Sequence, residues 1–220
     1  LEFGSLADEI ARQPEYQRAL KLAHARGSLL TPAKLMNLYL LLRFGLPQLD
    51  AGDIVEFGSY KGGSAIFMAS LLRDFGSKAR VHALDTYAGM PDTDAVRDLH
   101  RAGDFADTSL DEFRRTIARA KLEDVALPRK GLFHDSFPGL AAQGLRIALA
   151  HVDCDIYEGV KYAIEASRPL MVPAGYIVFD DPLHGSCLGA MQAIEETLLH
   201  EDRLHAEQMY PQPVYRYPPA

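Results

Sequence analysis

Two apolar segments of the chain are each followed directly by acidic residues. Residues 146–152 precede Asp153 and Asp155, and residues 175–179 precede Asp180 and Asp181. Both segments are typical of buried strands, and the residues between them are typical of one helix. In an open parallel sheet this order brings both clusters to the carboxyl ends of neighbouring strands. Four carboxylates in one crevice repel each other, so we expect either that some are protonated or that a hard cation such as Mg²⁺ binds among them.

Strands and helices are predicted to alternate along most of the chain. The predicted strands are residues 53–57, 80–84, 129–133, 146–152 and 175–179, followed by a hairpin of residues 204–210 and 214–217. The predicted helices between them are residues 63–75, 109–121, 158–170 and 188–201. This alternation predicts an α/β fold with a doubly wound, mostly parallel, seven-stranded sheet and an antiparallel C-terminal hairpin.

The segment before the first strand has a different character. Residues 6–26 and 31–45 are predicted to be extra N-terminal helices, and Thr31 and Pro32 form a helix-start signal. We expect residues 6–50 to form a cap or a dimer contact and residues 51–220 to form the α/β domain. Residues 1–5 have the composition of a cloning remnant.

The composition excludes several classes of protein. The net charge of −7 argues against a broad nucleic-acid interface, which needs a basic face. The longest apolar run, residues 38–42, is too short to cross a bilayer, and no signal peptide is visible. Two cysteines do not suggest a disulfide framework, so we expect a cytoplasmic protein with free thiols.

The turn after the first predicted strand is rich in glycine. Gly58 allows a ligand to approach the backbone, and Gly62 and Gly63 allow the next helix to begin against it. The spacing matches neither the dinucleotide-binding fingerprint nor a phosphate-binding loop. Glu56 would repel a pyrophosphate but attract a cationic ligand. The alternative is an ordinary glycine-rich turn.

Acidic residues also follow the second and third predicted strands. Asp85 is placed to bind the two hydroxyl groups of a ribose, and Tyr87 could stack on a base. Asp135 could accept a hydrogen bond from an exocyclic amino group. Each acid could instead only cap a loop or helix. Together they suggest a pocket for a cationic nucleoside without phosphate, which points to S-adenosylmethionine (SAM).

Five stretches of the chain, in this order, resemble the class I SAM-dependent O-methyltransferases, and among them the macrocin O-methyltransferase-like family. They are residues 53–63, 85–91, 152–158, 175–181 and 185–187. The resemblance extends from Asp53 to about Leu198. It implies the Rossmann-like methyltransferase fold.

The resemblance also implies roles for individual residues. The residues that would bind SAM are Glu56, Gly58, Ser59, Tyr60, Gly63, Ser64, Asp85, Thr86, Asp135, Ser136 and Asp153. Those that would bind Mg²⁺ are Asp153, Asp180 and Asp181, with Asp155 as the general base. The chain departs from the family pattern at Cys154, where glycine is usual, and after the paired acids at residues 182–184.

The implied reaction is methylation of a hydroxyl group on a small molecule, such as a sugar or phenol of a secondary metabolite. A metal-bound hydroxyl has a lowered pKa, so a nearby carboxylate can remove its proton. Three alternatives stay open: a catechol-type enzyme acting on a small phenol, a nicotinamide-dependent oxidoreductase, and a SAM-binding module without catalysis. His184 and Cys154 could also take part. We expect a homo-oligomer, a dimer, and neither a nucleic-acid nor a membrane partner.

Overall fold

A computed structural model describes residues 4–217 and contains one six-stranded sheet. The strand order is β3-β2-β1-β4-β5-β6. The first five strands pair in parallel, and β6 pairs antiparallel to β5. The strands are β1 (Asp53–Phe57), β2 (Val81–Asp85), β3 (Ala126–Lys130), β4 (Ile147–Val152), β5 (Met171–Phe179) and β6 (Val214–Tyr217). The expected doubly wound α/β fold is confirmed.

Eight α-helices within residues 4–217 surround this sheet. They are α1 (Ser5–Ala11), α2 (Pro14–Ala25), α3 (Pro32–Leu40), α4 (Gly63–Asp74), α5 (Leu110–Ala120), α6 (Phe133–Ala142), α7 (Tyr157–Ser167) and α8 (Leu188–Ile194). Helices α3 and α8 continue as π-helical turns, Leu41–Gly45 and Glu195–Glu201. Short 3₁₀ turns occupy Leu46–Gln48 and Arg168–Leu170. No helix in this part of the chain is long and apolar enough to span a membrane.

The sheet is covered on both faces, as a parallel sheet requires. Successive residues of β1 point to opposite sides: Ile54 packs into a core with Phe67 of α4, whereas Val55 packs into a second core with Phe137 of α6. The N-terminal helices belong to the first core, because Tyr16 of α2 makes an edge contact with the Phe67 ring. The edge of the sheet that carries the carboxyl ends of the strands is thereby left for ligands.

The number of strands differs from the expected seven. The first arm of the expected hairpin, residues 204–210, forms only an isolated bridge between Gln208 and Val214. The backbone N–H of Leu204 is bonded to Leu198 O at the end of the last helical turn, not to a strand. Pro211 and Pro213 lack the N–H groups that a longer ladder would need. The sheet therefore has one antiparallel strand, β6, at this edge.

The third strand also lies earlier in the chain than expected. It ends at Lys130, and Gly131 turns the chain with a φ of 141°. Phe133 then begins α6, so residues 134–136 form the first turn of a helix and do not follow a strand end. Of the proposed cloning remnant, Ser5 begins α1 and residues 1–3 lie outside the described residues.

Candidate active site

A cavity of about 720 Å³ lies at the carboxyl ends of β1, β2, β4 and β5. The resemblance gives fourteen residues a role in SAM binding, metal binding or catalysis, and eleven of them line the cavity: Gly58, Ser59, Tyr60, Gly63, Ser64, Asp85, Thr86, Asp153, Asp155, Asp180 and Asp181. Three do not: Glu56, Asp135 and Ser136. The cavity is also lined by residues 27–31, in the loop between α2 and α3, by Lys34 of α3, and by residues of the loop 86–107.

Asp85 fixes the turn that follows β1. Its Oδ2 accepts hydrogen bonds from the backbone N–H groups of Ser59 and Tyr60 at 3.0 and 2.8 Å, and its Oδ1 accepts one from Tyr87 at 2.6 Å. Burial raises the pKa of Asp85, and these three backbone hydrogen bonds oppose that rise. The carboxylate therefore holds the ends of β1 and β2 in one rigid wall of the cavity.

Gly58 allows the ends of β1 and β4 to touch. Its φ is 88°, and a Cβ atom at this position would lie 1.8 Å from the carbonyl oxygen of Asp153. No side chain fits in that space, so glycine is required here. The close approach brings the Asp85 wall of the cavity next to Asp153.

Glu56 lies behind the cavity and is fully buried. Its Oε1 is 3.1 Å from Nδ1 of His151, and within residues 4–217 its Oε2 has no hydrogen-bond partner. Gln212 donates from Nε2 to His151 Nε2 at 3.3 Å and to Asp180 Oδ1 at 3.0 Å. A buried polar network therefore connects Glu56 to the acidic cluster, a link that the sequence did not indicate.

Asp135 and Ser136 lie on the first turn of α6, outside the cavity lining. The Asp135 side chain is 66% exposed, and the Ser136 hydroxyl donates to Leu132 O. Their neighbours Leu132, Phe133 and His134 line the cavity instead. The roles suggested for Asp135 and Ser136 stay predictions.

Asp153, Asp180 and Asp181 converge at the ends of β4 and β5. One oxygen atom from each lies within 4.8 Å of the other two. Burial, followed by repulsion from the neighbouring carboxylates, raises the pKa values of Asp153 and Asp181 well above the usual range. This all-oxygen donor set is of the kind that hard divalent cations bind.

Lys34 of α3 contributes a cation to this cluster. Its Nζ lies 2.7 Å from Asp180 Oδ2 and donates to Asp180 O at 2.9 Å. This pair could not be predicted from the sequence, because 146 positions separate the two residues. Lys34 and Gln212 thus donate hydrogen bonds to both carboxylate oxygens of Asp180.

Asp155 is held in a left-handed backbone conformation, with φ of 60°. Its backbone N–H donates to Asp181 Oδ2 at 3.0 Å, and its Oδ1 accepts from Cys187 Sγ at 3.4 Å. Burial raises the pKa of Asp155, and the nearby His100 imidazole opposes the rise. His100 comes from the loop 86–107 and was not singled out from the sequence.

Cys154 and His184 are the other two residues that the sequence suggested could take part in the reaction. Cys154 lines the cavity, but burial raises the pKa of its thiol well above the usual range, so it is a poor nucleophile. His184 also lines the cavity, and its Nδ1 is 2.7 Å from the hydroxyl oxygen of Ser186.

The chain matches a known protein family over the segment that supplies most of this cavity. A model of the family described as macrocin-O-methyltransferase (TylF) matches residues 34–206, which is most of the chain. The chain belongs to this family. The match includes β1 to β5 and every residue that the sequence suggested for SAM or metal binding.

The individual relatives of this chain have low sequence identity to it. The 8-demethyl-8-(2,3-dimethoxy-alpha-L-rhamnosyl)-tetracenomycin-C 4'-O-methyltransferase of Streptomyces olivaceus is 34% identical over 149 residues, or 64% of this chain and 56% of the relative. The chain spans 56% to 61% of the length of the curated relatives it matches.

Solved structures confirm the fold. A calicheamicin methyltransferase aligns with a TM-score of 0.74 at 22% identity, covering 93% of this chain and 91% of that one. An O-methyltransferase from Bacillus cereus, solved in complex with SAH, aligns with a TM-score of 0.61 at 20% identity, covering 93% and 90%. Both share the Rossmann-like methyltransferase architecture.

Proposed function

We propose that this protein transfers a methyl group from SAM to a hydroxyl group of a small molecule, a sugar or phenol of a secondary metabolite. One observation carries the proposal: the turn held by Asp85 and the carboxylate of Asp155 face the same cavity. Membership of the macrocin O-methyltransferase family and a relative that acts on a rhamnosylated compound support it.

The SAM site in this proposal lies along β1 and β2. The backbone N–H groups of Ser59 and Tyr60 already bind Asp85, so the carboxylate is fixed in place before a ribose arrives. Glu56 is too deeply buried to line the cavity, so its negative charge acts on a cationic ligand from behind the wall.

The proposed Mg²⁺ site consists of Asp153, Asp180 and Asp181. Their oxygen atoms are close enough for one ion, and the repulsion among them is the feature that a cation would relieve. A bound Mg²⁺ would lower the pKa of a hydroxyl group that it coordinates. Lys34 keeps one carboxylate of the set, Asp180, in position.

Asp155 is the proposed general base. It removes the proton from the acceptor hydroxyl as that oxygen bonds to the methyl carbon of SAM, and the sulfur keeps the electrons of the broken bond. Its pKa, raised by burial, makes the ionised carboxylate a stronger base than an exposed one. The left-handed backbone of Asp155 is strained for a residue other than glycine, a feature often found at functional sites.

The domain boundaries belong to the same proposal. Residues 51–220 form the methyltransferase domain, and residues 6–50 form a cap on its ligand cavity. The observation in favour of a cap is that residues 27–31 and Lys34 line the cavity together with the strand ends.

The proposal is tested first by ligand binding. SAH should raise the melting temperature of the protein, whereas NAD should not. Stabilisation by NAD and not by SAH would contradict the methyltransferase proposal and favour an oxidoreductase. Transfer of labelled methyl from SAM to a panel of glycosylated metabolites and simple catechols then separates sugar from phenol acceptors. SAH binding without transfer to any acceptor would favour a module without catalysis.

A further inference from the structure

A second cluster of metal-ligating side chains lies beside the three aspartates. It consists of His100 from the loop 86–107, Asp155 after β4, and Cys187 at the start of α8. Cys187 Sγ lies 3.4 Å from Asp155 Oδ1 and 3.7 Å from His100 Nε2. His100 Nε2 lies 3.7 Å from Asp155 Oδ1. All three residues line the cavity.

These three distances match the edges of a zinc tetrahedron. Zn²⁺ binds histidine nitrogen and carboxylate oxygen at about 2.0–2.2 Å and cysteine sulfur at about 2.3 Å. Two ligand atoms of such a tetrahedron are therefore roughly 3.3–3.7 Å apart. The ligand atoms of His100, Asp155 and Cys187 form a triangle of this size without any rearrangement.

The surroundings of His100 fit a metal ligand as well. Its Nδ1 lies 3.4 Å from Oδ2 of Asp104, which leaves Nε2 directed towards Asp155 and Cys187. Asp104 is itself fixed, because its Oδ2 accepts from the backbone N–H of Arg101 at 3.0 Å. A carboxylate on the second nitrogen is the usual means of orienting a histidine that binds a metal.

The donor atoms also distinguish this cluster from its neighbour. The three aspartates offer only oxygen, which suits Mg²⁺, whereas one sulfur, one imidazole nitrogen and one oxygen suit Zn²⁺. We propose that His100, Asp155 and Cys187 form a second metal site, selective for thiophilic divalent cations such as Zn²⁺, with its fourth position open to the cavity.

Binding at this site has two consequences. The Cys187 thiol loses its proton to solvent as sulfur coordinates the ion, and no electron transfer is involved. The ion also occupies the Asp155 carboxylate and ties the loop 86–107 to the start of α8. Zn²⁺ therefore withdraws the proposed base and inhibits methyl transfer, a consequence that rests on the proposed function although the site itself does not.

Co²⁺ is the probe for the site, because its spectrum reports the ligands directly. Untagged, reduced protein is freed of metal and titrated with CoCl₂ while MgCl₂ is held in large excess to fill the all-oxygen cluster. We expect a sulfur-to-cobalt charge-transfer band in the near ultraviolet, saturating at one Co²⁺ per chain and abolished by one equivalent of Zn²⁺. Protein with both thiols reduced and no such band would overturn the proposal.

The chain offers matched controls for two of the three ligands. Cys187→Ser should abolish the charge-transfer band, whereas Cys154→Ser, at the other cavity-lining cysteine, should keep it. His100→Gln should weaken Co²⁺ binding more than His134→Gln, which also alters a histidine of the cavity wall.

The orienting carboxylate provides an independent test. Asp104→Asn should weaken Co²⁺ binding by about 10–100-fold, the effect typical of losing such a partner. Because Asp104 lies on an exposed loop, this variant checks the site even if the Cys187 variant misfolds. Loss of the band in Cys154→Ser, or unchanged Co²⁺ affinity in both His100→Gln and Asp104→Asn, would contradict the assignment. None of these readouts needs methyl transfer, so they stand apart from the proposed activity.

Discussion

The two ends of the parallel sheet surround half-buried carboxylates with opposite kinds of neighbours. At the start of β1, Asp53 accepts hydrogen bonds from the backbone and the guanidinium group of Arg80, at 2.9 and 3.0 Å, and lies 2.9 Å from His82 Nε2. Burial opposes the ionisation of Asp53, but these partners outweigh it and lower its pKa. At the other end, burial and then repulsion from the neighbouring acids raise the pKa of Asp153.

The difference separates structure from function. The chain can neutralise a half-buried carboxylate with its own groups, as it does for Asp53. At the carboxyl edge four acids lie close together, and one lysine, Lys34, forms an ion pair with one of them, Asp180. Local arrangements that cost stability are expected where a protein binds a ligand or performs chemistry. Four changes test this comparison.

The largest effect is expected at Asp155. Asn has a similar shape but cannot accept a proton, so Asp155→Asn should lower kcat by about 10²–10⁴-fold, the usual contribution of a general base. SAH affinity, measured by calorimetry, should stay close to that of the wild type. Asp124→Asn is the control, because Asp124 is an exposed residue remote from the cavity. A near-normal kcat for Asp155→Asn would show that this edge does not hold the base.

The second largest effect is expected at Asp85. A hydrogen bond to a charged group contributes about 1.5–3 kcal/mol, so Asp85→Ala should weaken SAH binding by roughly 10–150-fold. Calorimetry of Asp135→Ala in parallel tests whether that exposed carboxylate contacts the adenine. Unchanged affinity in Asp85→Ala would remove this residue from the cofactor site.

The sequence predicted the carboxyl edge well because its signals are local. Each acidic cluster follows directly on its own apolar strand, and the order of strands then determines which clusters meet. Lys34, His100 and Gln212 were missed because they reach the acidic residues of this edge from distant segments. Nothing in their local pattern distinguishes them from surface residues.

Strand β3 was misplaced for a related reason. It is an edge strand, it contains Pro128, and its residues are mostly half-buried. An edge strand tolerates proline and shows no clear apolar alternation. The more apolar residues after it, Leu132 and Phe133, lead into α6. The strand was therefore predicted too late in the chain, and this placed Asp135 at a strand end.

A smaller effect, on the thermal stability of the protein, is expected at Asp153 in the acidic cluster. In EDTA at neutral pH, Asp153→Asn removes a carboxyl group whose ionisation is disfavoured by burial and by the neighbouring acids, so it should raise the melting temperature, by roughly 2–4 °C for each kcal/mol relieved. Adding Mg²⁺ should then stabilise the wild type more than the variant, because the variant lacks one proposed ligand. Calorimetric scans of both proteins with and without Mg²⁺ measure this. A variant that melts below the wild type in EDTA would contradict the comparison.

The smallest effect is expected at the opposite end of the sheet. Asp53→Asn keeps the shape of the side chain but loses the charge, so it should lower the free energy of unfolding by about 1 kcal/mol at neutral pH. The folded-state pKa of Asp53 is lowered, so the wild-type advantage is present above the unfolded value of 3.8 and is lost as the pH falls through the folded value. Urea denaturation of both proteins over a descending pH series measures this convergence, with Asp74→Asn, at an exposed ion pair with Arg18, as the control. A difference that stays constant with pH would mean that the charge of Asp53 does not cause it.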